Sequence, residues 1–238
     1  MDTRSLSQHI SHEYNQELEA VRSQLLSMGG LVEQQINQAL QALVEGDSQL
    51  AETVVQTDDR VNQMEITIDE ECSRILARRQ PAASDLRLVI AIIKASTDLE
   101  RMGDEAQKIG HLAVSLAGQD RPSGGYREID QLGQAVQAMV RSALDAFARL
   151  EVDTALRIIR EDKLINREYE AIARQCIDYM MEDPHRVRRV LDSMWAARSL
   201  ERIGDHAKNL CEYVIYLVHG KDVRHGNLDA AERELLQQ

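Results

Sequence analysis

Aromatic side chains are scarce, 3% of 238 residues, with one tryptophan, one phenylalanine and six tyrosines. So few flat rings leave few platforms on which nucleic-acid bases could stack. Positive charge is also short: 28 Lys and Arg against 40 Asp and Glu give a net charge of -12, which argues against a phosphate backbone as ligand. The one basic run, Arg186-Val187-Arg188-Arg189, is brief and reads as the solvated start of a helix. No stretch approaches the roughly eighteen apolar residues of a membrane span, so any membrane association has to come through a partner. Residues 1–16 lack the apolar core of a signal peptide, and the three cysteines, Cys72, Cys176 and Cys211, are an odd number with no close pair. Both features point to a reducing, cytoplasmic setting.

Proline occurs only three times, while alanine, leucine, glutamine, glutamate and arginine abound. That mixture favours helix through its low side-chain entropy cost. Apolar residues recur at three- and four-residue spacing, as in Val54, Val61, Met64, Ile68, Cys72 and Ile75. Alternating strand patterns are absent.

The chain is internally duplicated. Leu99-Glu100-Arg101-Met102-Gly103-Asp104-Glu105-Ala106 returns as Leu200-Glu201-Arg202-Ile203-Gly204-Asp205-His206-Ala207, an offset of 101 residues. Upstream, Asp58-Asp59-Arg60-Val61-Asn62 matches Asp162-Lys163-Leu164-Ile165-Asn166 at an offset of 104, which Cys72 and Cys176 share. Breaks at Gly46-Asp47, Gln80-Pro81, 118–125, 151–153 and Asp183-Pro184 predict six helices, over 5–45, 47–79, 83–117, 127–150, 153–182 and 185–219. The expected fold is all-α, two tandem three-helix bundles over 1–119 and 126–220, hinged at 118–125. Residues 221–238 form a tail read as a short, loosely held helix, and Asp2 and Thr3 are candidates to cap the start.

Within each repeat the acids fall into register. On a helix Glu100 and Asp104 lie one turn apart beside the core seam of Leu99, Met102, Ala106 and Ile109. Like charges at that spacing destabilise a helix by a few tenths of a kcal/mol, so a compensating partner is expected. The helices flanking Pro81 run antiparallel if the turn is short, which sets Asn62 opposite Glu100 and Asp58 opposite Asp104. The turn at Asp183-Pro184 does the same for Asn166 with Glu201 and Asp162 with Asp205. Each bundle thus gathers three carboxylates and one amide, hard oxygen donors that suit Mg²⁺, Mn²⁺, Ca²⁺ or ferric iron. An ordinary solvated acidic face, neutralised by Arg101, Arg202 and surface lysines, has the same pattern. Gly103 and Gly204, each costing a helix about 1 kcal/mol relative to alanine, suggest close helix approach beside these acids. His206 could add a nitrogen to the second group, but its counterpart is Glu105, and it reads as a solvated side chain.

These residues resemble the PhoU family of phosphate-signalling regulators, over about residues 5–220. The resemblance rests on the acid-x-x-x-Asp motif inside Leu-Glu-Arg-hydrophobic-Gly-Asp, on the duplication and on the length. It implies that Glu100, Asp104, Glu201 and Asp205, with Asp58 and Asp162, hold metal ions or clusters, Mg, Mn or Fe, on the bundle surface. Asn62 and Asn166 stand where a further acid would lie and lower the charge of each site. The resemblance further implies a cytoplasmic negative regulator, a homodimer, that links the ATPase subunit of a phosphate ABC transporter to a phosphate-sensing histidine kinase and modulates phosphate uptake.

Two other functions compete. A carboxylate-bridged metal enzyme would use inward-facing Glu-x-x-His motifs, and the only near match, Glu182 to His185, is split by Pro184; the acids also read as rim-facing, where water is not excluded. A phosphotransfer bundle needs a receiving histidine, yet none of His9, His12, His111, His206 and His219 recurs between the repeats. Trp195 reads as a bundle-packing residue or an interface anchor, with packing favoured, and Cys72 and Cys176 as small core residues.

Overall fold

A computed structural model describes residues 3–118 and 126–223, with side chains from residue 13 onward. Six α-helices account for nearly all of them: α1 (Thr3–Glu45), α2 (Ser48–Arg79), α3 (Ala83–Ala117), α4 (Arg127–Arg149), α5 (Val152–Glu182) and α6 (Val187–His219). These agree with the periodicity to within two residues. The hinge at 119–125, the cap at Asp2, the helix expected in 224–238 and the side chains of His9 and His12 lie outside the described residues. None of the described helices is long and apolar enough to cross a membrane.

Local chemistry sets the helix ends. Gly46 takes a positive φ of 70°, and the Asp47 carboxylate then accepts from the amides of Gln49 (3.0 Å) and Leu50 (2.9 Å) at the start of α2. Gln80 in the left-handed region ends α2 just before Pro81. The turn before α6 differs slightly from expectation. Asp183 accepts from the His185 amide at 3.0 Å and holds Pro184–Arg186 as a single 3-10 turn, so α6 begins at Val187.

The helices α1, α2 and α3 pack on one another, as do α4, α5 and α6. The two bundles share one continuous apolar core rather than standing apart. Between them, α3 runs antiparallel to α6, with Asp98 beside Asn209, Glu105 beside Arg202 and Ser115 beside Asp192. A reciprocal contact joins α1 to α4: a Cβ on Gly29 would lie 2.5 Å from Leu144, and a Cβ on Gly133 would lie 2.5 Å from Leu40. Gly29 and Gly133 are equivalent positions of the duplication, as are Leu40 and Leu144, so the contact is an internal twofold.

Candidate functional site

In the first repeat Asp58 falls on the core phase of α2, four residues after buried Val54 and three before buried Val61. Helical geometry therefore carries its carboxylate inside, to 3% exposure. The bare backbone of Gly103 makes room for it: a Cβ there would stand 3.2 Å from Asp58 Oδ1, from Gln35 Oε1 on α1 and from Val61. Asp58 Oδ2 accepts from Asn62 Nδ2 at 3.2 Å and from Gln107 Nε2 at 3.1 Å. Its Oδ1 has no hydrogen-bond partner, nor do Asn62 Oδ1 and Gln35 Oε1. The Gln35 amide nitrogen donates to the Val54 carbonyl at 3.2 Å.

Around this buried acid stand Glu100 and Asp104, half-buried on α3. Burial, with the charge of Asp104, pushes the Asp58 carboxyl above its ordinary value against the Gln35 and Asn62 side chains, which pull it down; burial, then Asp104 and Glu65, raises Glu100. Asp58 lies between Gly103 and Gln107, which brackets the predicted partner, Asp104. Asn62 turns its amide onto Asp58 within its own helix.

The second repeat repeats the frame with other chemistry. Asp162, 3% exposed, accepts from Asn166 Nδ2 at 3.4 Å and from Lys208 Nζ at 3.3 Å, while its Oδ1 and Asn166 Oδ1 are unpartnered. Glu201 is buried and paired with Arg198 at 2.7 Å. Burial, then neighbouring carboxylates, raises both Glu201 and Asp205, with Arg198 pulling the other way on both and Lys208 on Asp205. At Gly204 the nearest atom to an added Cβ would be Ile165 Cγ2 at 3.3 Å, and Met139 Sδ follows at 3.8 Å.

Three expectations are corrected. The acids do not all face the rim: Asp58, Asp162 and Glu201 are buried, because each shares the phase of its helix's apolar stripe. His206 is not a solvated side chain; its Nδ1 donates to Asp98 Oδ1 at 2.7 Å across the α3–α6 seam. Trp195 is 53% exposed instead of packed, as its repeat counterpart, the polar Lys94, could have signalled. Cys72 and Cys176 are buried as expected.

Sequence reasoning missed two residues. Asp98, 6% exposed, accepts from His206, from Asn209 at 3.0 Å and from Tyr213 at 2.7 Å, tying the repeats together. Gln35 is fully buried on an otherwise apolar stripe of Val32, Ile36 and Ala39. Its counterpart at the 104 offset, Met139, marked the position as interior.

Among the described residues no three His, Cys, Asp or Glu side chains stand together as a metal-ligand set. The donor chemistry nevertheless fits a hard cation. Each repeat holds a buried Asp oxygen and an Asn oxygen with no donor, next to carboxylates that repel one another. Unpaired buried acceptors are costly, and a cation is one partner that satisfies several at once.

The description "PhoU domain" matches two segments, residues 25–113 and 129–214, one per repeat. The chain is similar to the phosphate-specific transport system accessory protein PhoU homolog of Pseudomonas aeruginosa, 56% identical over 231 residues, spanning 97% of this chain and 96% of the relative. It is 47% identical over 236 residues to the accessory protein PhoU of Escherichia coli, covering 99% and 97% of the two chains. Among solved structures, that of PhoU from Pseudomonas aeruginosa superposes with a TM-score of 0.85 at 57% identity, over 87% of this chain and all of that one. The phosphate transport system regulatory protein PhoU from Streptococcus pneumoniae gives 0.82 at 30% identity, over 88% and 99%.

Proposed function

The chain belongs to the PhoU family, and on that premise we propose that it is a cytoplasmic negative regulator of the phosphate-starvation response. It acts as an adaptor without turnover of its own, coupling the ATPase subunit of a phosphate ABC transporter to a phosphate-sensing histidine kinase and modulating uptake. The observation that carries this reading is the match, along almost the whole length of both chains, to accessory proteins of phosphate-specific transport. A homodimer is part of the same reading, and exposed Trp195 on α6 and Ile177 on α5 are apolar side chains available to protein partners.

Metal binding belongs to the proposal as well. Glu100, Asp104, Asp58 and Asn62 in the first repeat, and Glu201, Asp205, Asp162 and Asn166 in the second, would hold Mg²⁺, Mn²⁺ or iron. The ion would supply positive charge to acids that otherwise repel, and so couple occupancy to the rigidity of each α2–α3 or α5–α6 hairpin. The unpartnered oxygens of both repeats support it.

Deleting the gene should derepress a phosphate-responsive reporter in phosphate-rich medium, and a plasmid copy should restore silencing. Unchanged reporter expression in the deletion strain would overturn the regulatory role.

A further inference from the structure

The two acid groups are related by duplication, yet four positions around them differ, all in one sense. Where the second repeat has Lys208, the first has Gln107; where the second has Arg198, the first has Thr97. Lys208 and Arg198 are the cations that touch Asp162 and Glu201, at 3.3 and 2.7 Å. Arg198 is further held over the ring of Tyr169, 5.4 Å from its centroid, and the residue equivalent to Tyr169 is Glu65, whose charge bears on Glu100. Finally, the buried donor is the unpartnered amide oxygen of Gln35 on α1 in the first repeat and the thioether of Met139 on α4 in the second. An amide oxygen suits a hard cation and a thioether does not.

We propose that the first repeat alone carries the high-affinity cation site, with Gln35 contributing beside Asp58, Glu100 and Asp104, and that Lys208 and Arg198 occupy the second site as built-in counter-ions. This rests on the metal-binding reading above and adds to it an order of filling and a ligand outside the acidic motif. The second group is closed by charge: a divalent ion entering it must displace two side-chain cations from the carboxylates they pair with. Entry to the first group displaces only amide donors, and exposed Arg101 is a partial counterweight to Glu100 there. Gln35 is fully buried, its oxygen aims at the space beside Gly103, and its amide nitrogen is committed to Val54. The oxygen has no hydrogen-bond donor there.

Titration of the chelator-treated full chain with Mn²⁺, followed by calorimetry and by the resonance of free Mn²⁺, tests this. The wild type should show one tight event and a second weaker by roughly tenfold or more. The informative variants exchange residues between the repeats. Arg198→Thr with Lys208→Gln should strengthen the weak event to within about threefold of the tight one. Because this is a gain, misfolding cannot mimic it. Thr97→Arg with Gln107→Lys should abolish the tight event, and Gln35→Met should weaken it by roughly tenfold while leaving the weak one unchanged. Two equal events in the wild type would overturn the proposal while sparing the metal reading. So would a weak event unmoved by Arg198→Thr with Lys208→Gln, or a tight event lost with Glu201→Gln instead of Glu100→Gln. No Mn²⁺ uptake in any protein would overturn both.

Discussion

Replacing Asp98 with alanine lowers the unfolding free energy by about 3 kcal/mol, the expected cost of stripping a buried carboxylate from three donors. Asp98 sits at 6% exposure on α3 and receives hydrogen bonds from His206, Asn209 and Tyr213 of α6. Truncation removes the carboxylate that the Tyr213 hydroxyl donates to, and the seam between the repeats loses its central polar tie. A second tie, Glu105 with Arg202 at 3.2 Å, remains and keeps the loss short of global unfolding. Urea midpoints of wild type, Asp98→Ala, Tyr213→Phe and the double variant check this. The network requires the two substitutions to be non-additive by at least about 1 kcal/mol. A midpoint for Asp98→Ala equal to wild type would mean that apolar packing alone holds α3 to α6.

The opposite sign is expected at Asp58. In metal-free protein at neutral pH, Asp58→Asn should stabilise the fold by about 1–3 kcal/mol, the usual penalty of an unsatisfied buried acceptor. An amide in that place gives Gln35 Oε1 a donor and removes a charge that Asp104 repels. The pH dependence follows from the direction of the shift. Burial and neighbouring carboxylates raise Asp58 above its ordinary value, so between the ordinary and raised values the folded chain binds more protons than the unfolded one. Wild-type stability from this group therefore falls as pH rises through that window and is recovered on acidification toward the ordinary carboxylate value. The advantage of Asp58→Asn should be largest at pH 7 and shrink toward pH 4, values spanning the usual carboxylate range. Denaturation curves with chelator at both ends of that range measure it. A destabilised variant at pH 7 would show that the Asp58 charge is already satisfied.

Much of this architecture is legible in the residues. The three- and four-residue spacing of Val54, Val61, Ile68, Cys72 and Ile75 sets one buried face of α2, and all five are buried. Equal distances from Pro81 bring Asp58 to the level of Asp104, and it lies between Gly103 and Gln107. The seam is not legible position by position, because pairs there form across the duplication. His206 differs from Glu105, and Asp98 from Ser199, since each complements a residue of the other repeat and not its own equivalent. A histidine judged by its counterpart thus looks like a surface substitution. Gln35 was invisible for another reason: a single glutamine in a long helix carries no pattern, and only its pairing with Met139 marks a polar atom in the core. The depth of Asp58 and Glu201 follows helical phase, but their burial depends on how closely α2 approaches α3 and α5 approaches α6, which Gly103 and Gly204 permit.

Whether the acidic groups hold metal is decided by elemental analysis of protein purified without chelator, wild type against Glu100→Ala, Asp104→Ala, Glu201→Ala and Asp205→Ala combined. Stoichiometric Mg, Mn or Fe is expected in the wild type, and its loss from a variant that circular dichroism shows to be still helical. A wild type that carries no metal after growth with Mn²⁺, Mg²⁺ and iron would contradict metal binding, and would leave the acidic groups as surfaces for protein partners alone.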